Sequence, residues 1–157
     1  MLLSELLPSL AMQDFKHIQA WQRAHALGIA IHRLTRNFTR AGYAHLRSQL
    51  EKSADSMSET IVEGCGADSN KEFARFLDMS IKSANETEGR LLKARDLGLI
   101  PHEVWQKHSA ETVEIRKMTF GYRKKVLESA RNEVVSDPKP SGKPRKTGRT
   151  RSKRSDT

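Results

Sequence analysis

The hydrophobic positions of this chain repeat at helical spacing from about residue 18 onward. Steps of three and four residues place apolar side chains on one stripe of a helix. The first stripe consists of Ala20, Ala24, Leu27, Ile31, Leu34 and Phe38. The second follows the sequence NFTRAG at 37–42 and consists of Leu46, Leu50, Ser53, Met57 and Ile61. We therefore predict two amphipathic helices, the second ending at Gly64 and Gly66.

Two further helices are predicted downstream. Asp68 or Ser69 caps the third, and Glu72 in its first turn favours the helix dipole. Its stripe has a small, partly polar middle and consists of Phe73, Leu77, Ser80, Ala84, Thr87, Leu91 and Ala94, widened by Phe76 and Ile81. Gly98 closes this helix, and Pro101 suits the first turn of the fourth. The fourth helix has the weakest apolar face, continues to about Ala130, and presents Val104, His108, Glu111, Ile115, Met118 and Tyr122.

The short connections between these helices make neighbours antiparallel, because a short loop cannot return the chain to the same end. No segment alternates at period two, so no strand is predicted. The predicted fold is all-α: an antiparallel up-down four-helix bundle over residues 15–135, with a disordered basic C-terminal tail at 136–157. Residues 1–14 form an N-terminal extension. Its apolar prefix is either a short docking helix or the product of an upstream start codon.

The charge of the chain is concentrated in the tail. The whole chain has 28 Lys+Arg against 19 Asp+Glu, a net charge of +9, and residues 136–157 carry +6 of it. The tail contains no aliphatic or aromatic residue, so it cannot bury enough apolar surface to fold. Its eight cations are predicted to bind nucleic acid through the phosphate backbone, unless the tail only solubilises the protein. They are Lys139, Lys143, Arg145, Lys146, Arg149, Arg151, Lys153 and Arg154.

Composition excludes several other classes of protein. A single cysteine, Cys65, permits neither a disulfide framework nor a cysteine-based zinc site, and it fits a reducing, cytoplasmic environment. Apolar runs are far shorter than the roughly 20 residues of a membrane span. No Glu-x-x-His pair matches a di-metal bundle, and His102 and His108 point in different directions on a helix. We predict no metal, no cofactor and no catalytic residue.

Cys65 and three carboxylates are the remaining candidates for chemistry. Cys65 lies between two glycines, and a small residue in a tight turn is favoured there over an activated thiol. Glu63 is expected to accept hydrogen bonds from backbone amides across the turn, and Glu86 to pair with an arginine of a neighbouring helix. For these two and Glu88, an ion pair that fixes helix register is favoured over acid-base catalysis.

A family resemblance is visible over about residues 15–99. The combination of a glutamate-glycine turn with the Lys-Glu-Phe and Arg-Phe-Leu segments resembles the four-helix-bundle proteins encoded within intervening sequences of bacterial 23S ribosomal RNA genes. The residues that carry it include Trp21, Gln49, Glu63, Gly64, Gly66, Phe73, Phe76, Ser83 and Glu86. The chain departs from the family at Ser58, where a proline is common, and at Ala67, where an arginine is usual.

The resemblance implies a homopentameric ring and a relation to the accessory variability proteins of diversity-generating retroelements, which bind reverse transcriptase and nucleic acid. It implies no established activity for the intervening-sequence branch. Two functions follow. The first is a non-enzymatic, oligomeric protein that binds nucleic acid, with RNA favoured, through its basic surface and tail. The second is an accessory scaffold that binds a reverse transcriptase.

Overall fold

The structure is a computed structural model that describes residues 13–136 of the 157-residue chain. Its four helices are α1 (Gln19–Leu34), α2 (Ala44–Cys65), α3 (Asn70–Asp96) and α4 (His102–Ser136), with 3-10 turns at Phe15–His17 and Thr35–Asn37. Each helix packs against the next along the chain, and α1 packs against α4. Residues 13–136 contain no strand. The prediction of an all-α, up-down four-helix bundle is confirmed.

The core forms two apolar clusters, one toward each end of the bundle. One is centred on Ile31, Leu50 and Leu91, and the other on Ile61, Phe73 and Leu77, all of them fully buried. The side chains between them are small and hydroxylated, as the middle of the α3 stripe predicted. Their hydroxyls are satisfied inside the core: Thr87 donates to Ser53 at 3.0 Å, and Ser80 donates to the Met57 carbonyl at 2.7 Å. These bonds offset the cost of burying polar groups between α2 and α3.

Both ends of α3 are formed by the residues that were predicted to form them. The Ser69 hydroxyl accepts a hydrogen bond from the Glu72 amide at 3.1 Å, which caps α3. At the other end of α3, Gly98 adopts a φ of +72°, and the Leu99 amide donates to the Ala94 carbonyl at 2.9 Å. Because a side chain is strained at that φ, glycine suits this helix end.

The first and fourth helices differ from the prediction. The α-helix α1 ends at Leu34 and a 3-10 turn follows, so Phe38 lies beyond the helix that was predicted to contain it. Phe38 is nevertheless buried. The fourth helix continues past Ala130 to Ser136, the last residue that the structure describes. Its fully buried positions are Thr112, Ile115, Thr119 and Val126, whereas His108 and Glu111 are only half-buried. The predicted stripe was therefore wrong by about one residue for much of α4, because threonines occupy core positions there.

Ion pairs tie α4 to its two neighbours. Arg23 of α1 holds Glu111 with two hydrogen bonds of 2.8 and 2.6 Å. On the other side, Arg123 lies 2.6 Å from Asp78 of α3. These contacts fix the rotation of a helix whose apolar face is weak. In the described part of the chain, no helix is long and apolar enough to cross a membrane.

Candidate functional site

The turn between α2 and α3 contains the densest group of predicted family residues. Gly64 lies in the last turn of α2, directly against Phe73 of α3, which is fully buried. A β-carbon at position 64 would come within 2.5 Å of Phe73 Cδ2 and 2.9 Å of Phe76 Cβ. Gly64 is thus required by the close approach of the two helices, and these three predicted residues act together as packing.

Gly66 and Glu63 have other roles than expected. Gly66 has a φ of −90°, and its β-carbon would meet only ordinary contacts, so neither conformation nor packing demands glycine there. Glu63 is exposed, and it is its backbone carbonyl that accepts the Gly66 amide at 3.0 Å. The carboxylate that accepts an amide across this turn is that of Glu72, from Asp68 at 3.4 Å. The expectation for the Glu63 side chain was therefore wrong: carbonyls already satisfy that end of α2.

Cys65 is buried at this turn. Burial, with the nearby Asp14 charge, raises the pKa of its thiol to about 11. A thiol with that pKa stays protonated near neutral pH, and the thiolate is the reactive form. The geometry fits the favoured interpretation of a small residue in a tight turn.

Trp21 anchors an aromatic group at the start of α1. Its ring lies 4.8 Å from Phe15 in an edge-on arrangement and 5.0 Å from His25 in a stacked one. His32, in the last turn of α1, forms a side-chain hydrogen bond of 2.7 Å with Asp55 of α2. His32 therefore lies at the interface between α1 and α2. His25 is exposed and stacks within its own helix.

Three other predicted family residues meet in a polar groove between α2 and α3. Gln49 lines one side, and Ser83 and Glu86 line the other, around a cavity of about 400 Å³. Lys52 and Arg90 also line the groove, although no motif in the sequence singled them out. The four-residue spacing of Glu86 and Arg90 was the available signal, because such residues are neighbours on a helix surface.

The ion pairs along α3 correct the expectation for Glu86. Its carboxylate pairs with Arg90 of the same helix at 3.0 Å and does not reach an arginine of a neighbouring helix. Glu88 does so instead, because it faces α4 and pairs there with Arg116. Arg116 also donates to Asn85 at 2.8 Å. The register-fixing pair that was predicted for these carboxylates therefore exists at Glu88.

One of the polar side chains of this groove is bonded across the two helices. The Ser83 hydroxyl bonds Ser56 across the two helices at 2.9 Å, and this contact is internal to the fold. Within residues 13–136, no group of three or more His, Cys, Asp or Glu side chains is arranged to hold a metal ion. The groove therefore offers amide, hydroxyl and charged groups rather than a metal site. The eight predicted tail residues lie outside the described residues, so the structure does not place them against it.

Comparison with known proteins agrees with this architecture. A family model described as 23S rRNA-intervening sequence protein matches residues 16–121. The chain belongs to this family. The match covers α1, α2, α3 and more than half of α4 and ends before residues 122–157. The family resemblance of the sequence is thereby confirmed, while the relation to retroelement accessory proteins stays a prediction.

A solved structure is similar to the bundle. It is the crystal structure, at 1.70 Å resolution, of a protein with unknown function from the S23 ribosomal protein family of Bacteroides thetaiotaomicron VPI-5482. The two structures have a TM-score of 0.63 and 22% sequence identity, over 67% of this chain and 95% of the other. At that identity the similarity shows the fold alone. No curated protein matches the chain.

Proposed function

We propose that this family member is a non-enzymatic, oligomeric protein of the cytoplasm that binds nucleic acid, RNA above all, through its basic surface and its C-terminal residues. The partition of charge carries this proposal. Residues 136–157 hold eight cations against two anions, whereas residues 1–135 hold 20 against 17. Two thirds of the net charge therefore resides in one seventh of the chain, where few carboxylates compete with a phosphate backbone.

The ion pairs of the described residues support a binding role for the cations of the tail rather than for those of the bundle that are already paired. Most arginines of the bundle are engaged in ion pairs, such as Arg23 with Glu111 and Arg116 with Glu88. Charges engaged in this way stabilise helix contacts and contribute less to an external anion. The cations beyond α4 have only Asp137 and Asp156 as acidic companions in sequence. Such a segment binds phosphates without reading bases, because it has no aromatic residue for stacking.

A salt series tests this function. The affinity of the full chain for a single-stranded RNA is measured by fluorescence anisotropy at increasing salt, beside that of a chain ending at Val135. If the tail neutralises phosphates, the logarithm of affinity falls with the logarithm of salt by about 0.7 for each phosphate. Truncation should remove most of the affinity and flatten the slope. An unchanged affinity after truncation would contradict a role for the tail, and absence of binding by the full chain would contradict the function.

A protein-binding scaffold is the second candidate, favoured by the end of α4. Val134 and Val135 are 77% and 83% exposed, and with Leu127 and Ala130 they line an apolar groove of about 500 Å³ beside Lys71. Exposed apolar surface of this kind marks contacts with other proteins. In this alternative the occupant is a reverse transcriptase. Replacing Val134 and Val135 by serine should then abolish co-purification with that enzyme and leave RNA affinity unchanged.

A further inference from the structure

A long stretch of the described chain is free of carboxylates. Between Asp14 and Glu51 there is no Asp or Glu, while residues 15–50 contain six Lys or Arg and four of the six histidines. The stretch comprises α1, the connection to α2 and the first turns of α2. A run of this length without an acid concentrates positive potential on one edge of an otherwise nearly balanced bundle.

Three arginines of this stretch, Arg33, Arg36 and Arg40, form what we name the arginine corner. All three are exposed. Helical backbone bonds continue past α1, from the Phe38 amide to the Thr35 carbonyl at 3.0 Å and from Ala41 to Asn37 at 3.4 Å. Arg36 lies in the 3-10 turn and Arg40 in the turn that follows it. Thr35 and Phe38, which lie between the arginines in sequence, are buried, so the three arginines are on the solvent side of this segment.

The buried side chains of the same segment lie on the opposite side. Ile31 and Phe38 are 0% and 2% exposed, in contrast to the three arginines. The arginine corner therefore points away from the core. Its neighbours in sequence, Asn37 and Thr39, are exposed and polar, so the surface lacks the apolar centre of a protein interface.

None of the three guanidinium groups is neutralised by a described carboxylate within 4.0 Å. The nearest acids in sequence, Glu51 and Asp55, are committed elsewhere. Glu51 accepts hydrogen bonds from Arg47 at 2.8 Å and from Thr35 at 2.6 Å. Asp55 bonds His32 at 2.7 Å. Six of the eight other arginines among residues 13–136 form ion pairs, so a group of three unpaired arginines within eight residues is unusual in this bundle.

We propose that the arginine corner is a structured binding site for the phosphodiester backbone of nucleic acid. This inference rests on the proposed function and gives it a second site within the bundle. A guanidinium group presents a planar fork of donors that matches a phosphate. Arg33, Arg36 and Arg40 fall within eight consecutive residues, so together they can contact more than one phosphate of a strand that carries a negative charge at every nucleotide.

The arginine corner and the end of α4 are at opposite ends of the bundle. The end of α1 shares its core cluster with Leu99, Val104 and Trp105, where α4 begins. The 35 residues of α4 then carry the chain about 52 Å to the far end before residue 137. Because the arginine corner is far from that end of α4, the losses in affinity from the corner substitutions and from truncation after Val135 are expected to add.

The test uses the full chain and two variants with equal loss of charge. The corner variant carries Arg33→Gln, Arg36→Gln and Arg40→Gln. The control variant carries Lys124→Gln, Lys125→Gln and Arg131→Gln, three exposed cations of α4 without an ion pair in the described structure. Glutamine is a good helix former, so both variants should keep the fold, which circular dichroism checks. The probe is a 30-nucleotide single-stranded polyuridylate, followed by fluorescence anisotropy at increasing salt.

The corner variant should lose at least tenfold in affinity, and its salt slope should become shallower by about 2, three times the 0.7 per phosphate on single strands. The control variant should change much less. Equal behaviour of the two variants, with binding by the unmodified chain intact, would overturn the corner and leave the proposed function standing. No binding by the unmodified chain would instead overturn the proposed function.

A competitor separates nucleic acid from an acidic protein as the partner. Polyglutamate of matched charge is titrated against the same complex. Weak competition supports the phosphodiester site, because it shows that negative charge alone does not account for binding to the three arginines. If polyglutamate binds as tightly as the RNA and loses as much on the corner substitutions, the partner is an acidic polypeptide and the nucleic-acid inference is overturned.

Discussion

Gly64 is the residue at which the packing constrains identity most tightly. It sits where α2 and α3 approach each other, and the ring of Phe73 occupies the space that a side chain would need. Gly66, two residues later, has no such neighbour. The Glu-Gly-Cys-Gly segment therefore combines one glycine required by packing with one that is not. A sequence motif alone does not distinguish the two.

Gly64→Ala should destabilise the bundle by about 1 to 3 kcal/mol, because a methyl group 2.5 Å from Phe73 Cδ2 forces the ring or the helices to move. Gly89→Ala in the exposed face of α3 is the control. A β-carbon there meets nothing within 4 Å, so this change should stabilise by about 0.5 to 1 kcal/mol. Urea denaturation measures both. A neutral Gly64→Ala would show that the turn relaxes freely.

At the scale of helices, α2 and α3 were predictable and α4 was less so. Every residue of the α3 stripe from Phe73 to Ala94 is buried, because apolar and small residues alternate there with strongly polar ones. In α4 the core positions Thr112 and Thr119 are threonines whose hydroxyls bond carbonyls of their own helix at 2.8 Å. A hydroxyl satisfied in this way packs like an apolar side chain, which polarity patterns do not reveal. Ion pairs with α1 and α3 also orient α4, and their partners are brought together only when the helices pack.

The contribution of ion pairs to the packing of α4 can be tested at the Arg23–Glu111 pair. Hydrogen bonds from Arg23 lower the pKa of Glu111, so folding favours the ionised carboxylate. The stabilisation is complete above the ordinary value of 4.5 and is lost as pH falls through the lower folded pKa. Glu111→Gln should therefore lower the free energy of unfolding at pH 7 by about 1 kcal/mol or less, since both side chains are partly exposed.

Thermal unfolding from pH 7 downward measures this difference, which should shrink once the pH is below 4.5. Glu128→Gln is the control, since it removes an exposed α4 carboxylate and should change stability little at any pH. A deficit of Glu111→Gln that stays constant into acid would mean that packing rather than charge holds α1 to α4.

At the scale of the whole molecule, the candidate surfaces followed from the sequence only in part. The charge of the tail is visible by counting, because it lies in consecutive residues. The arginine corner needs the structure, since Arg33, Arg36 and Arg40 matter only once they lie on one solvent-facing side and lack acidic neighbours from other helices. The polar groove is intermediate. Gln49, Ser83 and Glu86 were singled out by resemblance, but their meeting between α2 and α3 depends on helix packing.

The assembly is the last property that can be tested apart from nucleic-acid binding. We expect residues 15–135 to be sufficient for a homopentamer, because the family match at 16–121 excludes the tail entirely. Light scattering of the full chain should give five times the protomer mass of 17.8 kDa, and a chain ending at Val135 should also be pentameric. Five tails on one particle would carry about +30, so weak contacts to one RNA would reinforce each other. If the truncated chain is still pentameric but has lost RNA affinity, assembly and binding are separate properties. A monomer at micromolar concentration would contradict the ring and remove multivalency as a source of affinity.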